Sequence, residues 1–336
     1  MQSPVFERLF ERIDVTKYPA KRLIVIPLSI LVIAVFIIAL TQVLVGSPVR
    51  LGTDFVGGTV VKVQTTETIE QLEVTFADFP VASIRDTGAA HEKSIEFGQM
   101  SETEKDALIA KLEQDYGSES EFGSFELRDI SPLFAKELQR QAVNAIIIAF
   151  ILMAIVVFIV FRTLVPPFAV IIAAFSNIVV AVACMNVIGL ELSLGTVAAL
   201  LMLIGYSVDS NILLTTNLLR KKGDVDEKIR STMKTGVTMT FTTLSAVVAL
   251  FLVSSTIHYL SAYFAPIPIL RDLSLVLLFG LVMDLLNTWL LNAGILRWYI
   301  ERKESRKFGK RSVGAKAPVK KSAKRGEKRK DKSSTV

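Results

Sequence analysis

The chain alternates between long apolar runs and polar segments, and this pattern predicts where it crosses a membrane. The first run, Leu23–Val45, carries no charged side chain. A helix needs about 20 predominantly apolar residues to span the hydrocarbon core. Further runs of that kind follow at Val143–Phe161, Pro167–Gly189, Ser193–Leu219, Gly236–Thr256 and Ile269–Leu296. We therefore predict a polytopic α-helical membrane protein with six transmembrane helices, of which the first is a retained anchor and not a cleaved signal peptide.

The polar segment between the first two runs has the periodicity of a small α+β domain. Residues Gly58–Thr65 are β-branched and predict a strand, and "VASIRD", "KSIEFGQ" and "GSFELRDI" predict three more. The segment "ETIEQLEVTFADF" has apolar residues at helical spacing, and Ser101 with Glu104 forms a capping-box signature before a second helix. The order βαββαβ is that of a ferredoxin-like fold, which we predict for an exterior domain between helices 1 and 2.

Charge adds an orientation to this topology. Of the 336 residues 51% are hydrophobic, and 38 Lys and Arg against 32 Asp and Glu give a net charge of +6. The basic residues flanking the apolar runs fall on one side of the six-span arrangement, and positive loops stay in the cytoplasm. We therefore expect both termini to be cytoplasmic. Because the excess charge lies in membrane flanks and the C-terminal tail, it does not indicate specific nucleic-acid binding.

These boundaries predict five segments. They are a cytoplasmic N-terminus (1–22), transmembrane helix 1 (23–45), the exterior domain (46–140), a five-helix transmembrane bundle (141–296) and a basic cytoplasmic tail (297–336). The density of lysine and arginine in the tail predicts disorder, and anionic membrane lipid attracts such a segment.

Two carboxylates within the predicted spans are the first functional candidates, because an ionisable group at the centre of a membrane helix is costly. These are Asp209 in the fourth span and Asp284 in the sixth. Buried carboxylates have a raised pKa and can carry a proton across part of a membrane. The alternative is that such polar groups only hold helices together.

Hydroxyl and amide side chains extend these candidates into polar faces on three helices. Gly205, Asp209 and Thr216 lie along one face of the fourth span. Thr238 and Thr242 recur at helical spacing on the fifth, and Asn287 and Thr288 share a face with Asp284 in the sixth. Polar faces ordinarily meet each other and avoid lipid, so we expect the three helices to converge through them. For the threonines alone, interhelical packing remains the favoured interpretation.

The stretch "LGTDFVGGTV", Leu51–Val60, joins the first span to the exterior domain. A phosphate-binding glycine loop follows a strand and opens a helix, whereas this one follows a membrane helix and precedes a strand. Adjacent glycines permit backbone conformations that other residues avoid. We therefore interpret Gly57 and Gly58 as a tight junction, which Asp54 caps or orients.

Four motifs in order resemble the SecD/SecF family, accessory subunits of the Sec protein-export machinery within the resistance–nodulation–division superfamily. They are "LGTDFVGGT" at the start of the exterior domain, "DISPLFAKELQRQAVNAI" before the second span, "IGYSVDSNILL" in the fourth span and "TMTFTTLSAVVALF" in the fifth. The similarity covers nearly the whole chain apart from the tail. The short exterior domain and the GYS motif favour the SecF branch.

The resemblance implies a role in protein export. Such a subunit pairs with SecD, associates with a SecY-type translocation channel and assists the movement of unfolded polypeptide across the cytoplasmic membrane, using the proton-motive force. By position, Asp209 matches the fourth-span acidic residue of the proton path. Gly57 and Gly58, with Asp54 beside them, match a hinge that transmits membrane motion to the exterior domain.

The remaining fourth-span motif residues are expected to pack helices, and they are Gly205, Tyr206, Ser207 and Asn211. Elsewhere the chain departs from the family pattern. It has Thr216-Asn217 in place of an acidic–arginine pair, Thr235 in place of an arginine, and Asp284 where small uncharged residues are usual. These departures indicate a divergent branch, which we expect to be archaeal, and they leave proton coupling open.

Two alternatives stay open beside the coupled subunit. The same fold could hold SecD or the channel without moving protons, or the chain could export small molecules or lipids, although exporters of this superfamily usually have twelve spans. An enzyme is not indicated, since G-x-S-x-G, H-E-x-x-H and paired cysteines are missing. His91 and His258 fall in predicted exterior segments, and we expect neither a cofactor nor a metal site.

Overall fold

The structure is a computed structural model that describes residues 19–86, 92–117, 125–162, 165–220, 224–260, 267–300 and 302. The chain divides into two units, residues 1–297 and residues 298–336. Of the second unit, residues 298–300 and 302 are described, and they are helical.

Among the described residues, five helices are long and apolar enough to cross a membrane. They are α1 (Ala20–Val45), α5 (Pro132–Phe161), α6 (Val165–Ile188), α7 (Leu194–Arg220) and α8 (Val225–Leu260). This confirms a multi-pass membrane protein. The predicted boundary between residues 140 and 141 lies within α5 and stays a prediction. The helix itself starts at Pro132, where Ser131 caps its first turn by accepting from the Phe134 amide.

The helix in the predicted sixth span, α9 (Pro268–Leu286), is followed directly by a π-helical segment, Asn287–Asn292. It does not meet the same criterion of length and apolarity. Its sequence includes Arg271, Asp272 and Asp284 within 19 residues. The sixth membrane crossing therefore stays a prediction.

Between α1 and α5 the chain forms a sheet domain, residues Gly58–Ile130. After a short helix α2 (Thr53–Val56), its elements are β1 (Gly58–Gln64), α3 (Ile69–Thr75), β2 (Val81–Asp86), β3 (Glu92–Phe97), α4 (Glu102–Tyr116) and β4 (Phe125–Ile130). The strands lie in the order β2-β3-β1-β4, and every neighbouring pair is antiparallel. The predicted sequence of strands and helices is therefore observed.

Local signals and burial explain why these residues form these elements. Thr68 with Gln71, and Ser101 with Glu104, each complete a capping box at a helix start. Alternate residues of the two central strands point to one face, where they meet the apolar side of both helices. The fully buried members of this core are Val61, Val63, Leu72, Phe76, Ile95, Phe97, Leu108 and Leu112.

The transmembrane helices pack through a second core. Buried residues from α6, α7, α8 and α9 form it, and they are Ala181, Met185, Ala199, Leu200, Leu203, Val247, Val276, Leu277 and Leu281. At Gly280 an added Cβ would lie 2.3 Å from a methyl carbon of Leu203. A small residue there lets α7 and α9 approach closely, as small residues do in membrane helix packing.

The two glycines before β1 have conformations that require glycine. Gly57 has φ +80° and Gly58 has φ +140°. A Cβ added at Gly58 would lie 2.3 Å from the carbonyl oxygen of Phe97. The predicted tight junction is thus present, while its movement as a hinge stays a prediction.

Candidate functional site

A buried polar network lies where α6, α7 and α9 meet, with Asp284 at its centre. Asp284 is 1% exposed. One carboxylate oxygen accepts a hydrogen bond from Nδ2 of Asn177 at 2.8 Å, and the other accepts from Oγ of Ser210 at 2.8 Å. Both partners are uncharged, so the carboxylate is held by neutral donors alone.

Three further amides connect the network along the helices. Asn287 donates from Nδ2 to Oδ1 of Asn177 at 2.6 Å. Asn292 donates from Nδ2 to Oδ1 of Asn211 at 2.6 Å, and Nδ2 of Asn211 in turn donates to the carbonyl of Ser207 at 2.6 Å. These three asparagines and Asn177 are each 0% exposed, so their amide groups are shielded from both lipid and water.

The predicted acidic residue of α7 lies outside this network. Asp209 and Gly205 are exposed, and an added Cβ at Gly205 would meet nothing within 4 Å. The buried polar face of α7 instead includes Ser207 and Asn211, both 0% exposed. Our expectation that the face with Asp209 turns inward is therefore wrong for the isolated chain, because the apolar residues of α7 and these two small polar residues fill the interior.

The threonine face of α8 is also exposed. The hydroxyl of Thr238 donates to the carbonyl of Lys234 at 2.7 Å, and that of Thr242 donates to the carbonyl of Met239 at 2.7 Å. These bonds satisfy each hydroxyl within its own helix, so no inward-facing partner is needed. The α9 face that carries Asp284 and Thr288 instead meets Ser210 and Asn211 of α7. The predicted convergence is therefore wrong both for the α7 face with Asp209 and for the threonine face of α8.

Two residues that contact Asp284 were not identified from the sequence. They are Asn177 and Ser210. Asn177 lies on α6, and its amide and the hydroxyl of Ser176 are the two polar side chains of the stretch "AAFSNIVV". A buried amide in the middle of a span is costly without a partner, and that signal could have identified it. Ser210 adjoins Asp209 in the sequence, and only the rotation of α7 decides which of the two faces inward.

Tyr206, another residue of the fourth-span motif, is partly buried and packs against the apolar core of the bundle.

A second polar cluster joins the sheet domain to the bundle, at residues Pro48–Asp54 and Asn186–Leu194, which we call the junction. Leu51 and Leu192 form a parallel β-bridge. The amide of Gly52 donates to the carbonyl of Leu192 at 2.9 Å, and the amide of Leu192 donates to the carbonyl of Arg50 at 2.7 Å. Backbone hydrogen bonds therefore attach the start of the sheet domain to the loop between α6 and α7.

Charged side chains add to the junction. Arg85 on β2 pairs with Glu191 in the α6–α7 loop, and Glu96 on β3 lies 3.9 Å from Arg85. Burial raises the pKa of Glu96; attraction to Arg85 opposes this rise and repulsion from Glu191 adds to it. Two acidic groups thus share one guanidinium where the sheet approaches the loop.

Asp54, which the sequence predicts to cap or orient the segment around Gly57 and Gly58, contacts the start of α7. Its Oδ2 accepts a hydrogen bond from the backbone amide of Leu194 at 3.1 Å, so it caps the first turn of α7. An acidic acceptor at a helix N-terminus is favourable. Asp54 thereby couples the segment before Gly57 directly to the helix that carries Ser210.

We predict that Asp54→Ala will loosen the start of α7. Loss of a helix-capping acceptor costs about 1 kcal/mol, which corresponds to about fivefold faster local opening. Amide hydrogen exchange of the full-length protein should therefore accelerate at Leu194 and its neighbours. Thr53→Ala is the matched control, since this neighbouring side chain has no hydrogen bond to α7 among the described residues. Equal exchange in both variants would contradict the capping role.

Within the described residues, no group of three or more His, Cys, Asp and Glu side chains is arranged to hold a metal ion. His91 lies outside the described residues. The backbone of His258 lies in α8, and its side chain is outside the description. The absence of a cofactor therefore remains an expectation.

Residues 109–302 match the family model described as protein export membrane protein SecD/SecF, C-terminal. The chain belongs to the SecD/SecF family. It is 42% identical over 290 residues to the protein-export membrane protein SecF of Methanolacinia petrolearia, covering 86% of this chain and 97% of that protein. It is 39% identical over 294 residues to SecF of Pyrococcus furiosus, covering 85% of this chain and 93% of that protein.

A solved structure of this SecD/SecF family shares the fold. The crystal structure of SecDF, a translocon-associated membrane protein from Thermus thermophilus, matches with a TM-score of 0.64 and 22% sequence identity over 84% of this chain. The chain spans 38% of the length of that structure. The family expected from the motifs is confirmed, and the archaeal relatives agree with the expected archaeal branch.

Proposed function

We propose that this chain is a SecF-type accessory subunit of the Sec machinery, which acts with SecD to promote the export of unfolded polypeptide. Family membership supports the export role, and the near-complete coverage of curated SecF proteins supports the SecF branch. A transport subunit also fits a chain with one polar network buried among its helices and a second polar cluster that connects those helices to the sheet domain. We propose no enzymatic activity for it.

The observation that carries a coupled mechanism is the burial of Asp284. A carboxylate that is 1% exposed among membrane helices is retained at a cost of about 2.5–3.5 kcal/mol. Structural packing alone could use neutral side chains at that place. We therefore propose that Asp284 takes up and releases a cation, in the first instance a proton, during export driven by the proton-motive force.

Asp209 fits a different part of the same function. It lies on the exposed face of α7, together with Gly205. A charged group facing lipid tails is costly, so membrane carboxylates normally face other protein groups. We propose that SecD covers this face, and that Asp209 takes part in ion movement only in the assembled pair. We propose that Thr238 and Thr242, on the exposed face of α8, also take part in ion movement only in the assembled pair with SecD.

The finer topology completes this proposal. The sheet order β2-β3-β1-β4 with antiparallel neighbours supports a ferredoxin-like exterior domain. We propose that α9 with its π-helical continuation forms the sixth span, that both termini are cytoplasmic, and that the chain resides in the cytoplasmic membrane. Its other proposed partners are a SecY-type channel, the translocating polypeptide and membrane lipid.

The competing candidate is a scaffold that holds SecD without moving ions. The neutral hydrogen bonds around Asp284 favour it in one respect, because such networks also stabilise helix contacts. An exporter of small molecules is less well supported, since the curated relatives carry the same protein-export name over most of this chain.

Complementation tests the export role. In cells lacking this gene, restoring it should return secretion of a reporter protein to the normal rate, and the chain should co-purify with SecD. Dissipating the proton gradient should then reduce the part of reporter secretion that the restored gene provides. Restored secretion that is insensitive to the gradient would favour the scaffold, and secretion unaffected by the deletion would contradict an export role.

A further inference from the structure

The hydrogen bonds around Asp284 leave an acceptor without a donor. An ionised carboxylate only accepts hydrogen bonds, so Asn177 must turn its NH2 group toward Asp284, as it does at 2.8 Å. The Oδ1 of Asn177 then faces Asn287, which must present its own NH2 group, at 2.6 Å. This order fixes the orientation of both amides. It leaves Oδ1 of Asn287 buried, with no hydrogen-bond partner in the part of the chain that the structure describes.

A second acceptor is left over on the same helix face. Asn292 donates to Asn211, and its own Oδ1 is also buried without a partner. A buried amide oxygen that lacks a partner has lost its hydrogen bonds to water without a replacement, which is unfavourable. Reversing the amide of Asn287 would not remove this cost, because it would set two oxygens against each other at the contact with Asn177. The unpaired oxygen is thus a consequence of the charge on Asp284.

The charge itself is also uncompensated. Among the described residues Asp284 forms no ion pair, and the side chains that bond to it are neutral. Carboxylates buried in a medium of low dielectric are either protonated or paired with a cation. Each carboxylate oxygen lies 2.8 Å from a side-chain donor, a geometry that suits the ionised form. A bound cation would neutralise this charge. The unpaired Oδ1 of Asn287, three residues further along the same helical stretch and bonded to the same Asn177, is an acceptor available to it.

The available ligands define the kind of cation. They are carboxylate, amide and hydroxyl oxygens, the hard donors that alkali and alkaline-earth ions prefer. One carboxylate balances a single positive charge. The site also lies near the middle of α6 and α7, and ion sites of membrane transporters lie near the bilayer midplane.

We propose that the bundle binds a dehydrated monovalent cation, with Na⁺ as the ion to test, between the carboxylate of Asp284 and the amide oxygen of Asn287. The hydroxyls of Ser210 and Thr288, which lie 3.2 Å apart, would supply further oxygen ligands. This inference rests on the proposed ion-coupled function and names Na⁺, in place of a proton alone, as the cation held at Asp284.

The experiment measures equilibrium binding of radioactive sodium to the full-length protein, purified with SecD in lipid nanodiscs at constant pH. We expect saturable binding that Li⁺ competes and choline does not. Asp284→Asn should abolish it, and Asn287→Ala should weaken it by at least about tenfold. Asn217→Ala, on α7 but outside the network, is the control and should bind Na⁺ normally.

The outcomes separate this inference from the proposed function. Wild-type protein with no saturable sodium binding would overturn the cation site, even if Asp284→Asn still impaired export and so left proton coupling in place. Sodium binding in a protein whose Asp284→Asn variant exports normally would retain the site and refute coupling. Binding unaffected by Asn287→Ala would also overturn the site as drawn. The competition of Li⁺ with Na⁺ is measured on the wild-type protein, so this result does not depend on whether any variant folds.

Discussion

Secretion by cells whose only copy of this gene carries Asp284→Asn is expected to fall to the level of cells that lack the gene. Asparagine has the shape of aspartate, and its oxygen can still accept from Asn177 while its NH2 group can donate to the hydroxyl of Ser210. The helices should therefore keep their packing. What the variant loses is the ability to ionise, which a coupled mechanism needs in each cycle.

Membrane abundance and co-purification with SecD must be measured with secretion, so that loss of folding is not mistaken for loss of coupling. Asp78→Asn, an exposed carboxylate of the sheet domain, is the matched control and should secrete normally. Asp209→Asn, measured in parallel, tests the site that the family resemblance indicates. Normal secretion by Asp284→Asn at normal abundance would make the buried network a packing device and leave Asp209 as the remaining candidate.

The sheet domain could be predicted nearly residue by residue because its signals are local. Ser101 and Glu104 mark the start of α4 through a capping box, and Gly117 ends it. The strand "VASIRD" coincides with β2. Such features depend on neighbours in the sequence, and they stay the same in any tertiary setting. The membrane spans were predictable for a similar reason, since length and apolarity suffice.

Helix rotation could not be predicted, and the site depends on it. Asp209 and Ser210 are adjacent in the chain, yet Ser210 contacts Asp284 while Asp209 is exposed. In a span whose residues are mostly apolar on every side, periodicity gives little indication of which face is buried. The pairing of Arg85 with Glu191 was equally invisible, because it joins positions 106 residues apart through the docking of the sheet domain on the bundle.

The second large effect is expected at the start of β1, where Gly58→Ala should disrupt the sheet domain. The new methyl group would lie 2.3 Å from the carbonyl oxygen of Phe97, closer than any real contact. At φ +140° the alanine would also be strained. The strain costs about 1–3 kcal/mol, and the overlap costs about 1–3 kcal/mol more. Phe97 cannot easily move, because its ring is buried against Phe76 with centroids 5.6 Å apart.

Gly46→Ala separates these two costs. Gly46 has φ +81°, but an added Cβ there would meet nothing within 4 Å, so this variant carries backbone strain without a clash. Limited proteolysis and hydrogen exchange of the full-length protein should show a sheet domain that opens readily in Gly58→Ala and stays protected in Gly46→Ala. Equal protection in the two variants would mean that the β1–β3 contact can widen at Gly58. The close approach of Phe97 would then not restrict position 58 to glycine.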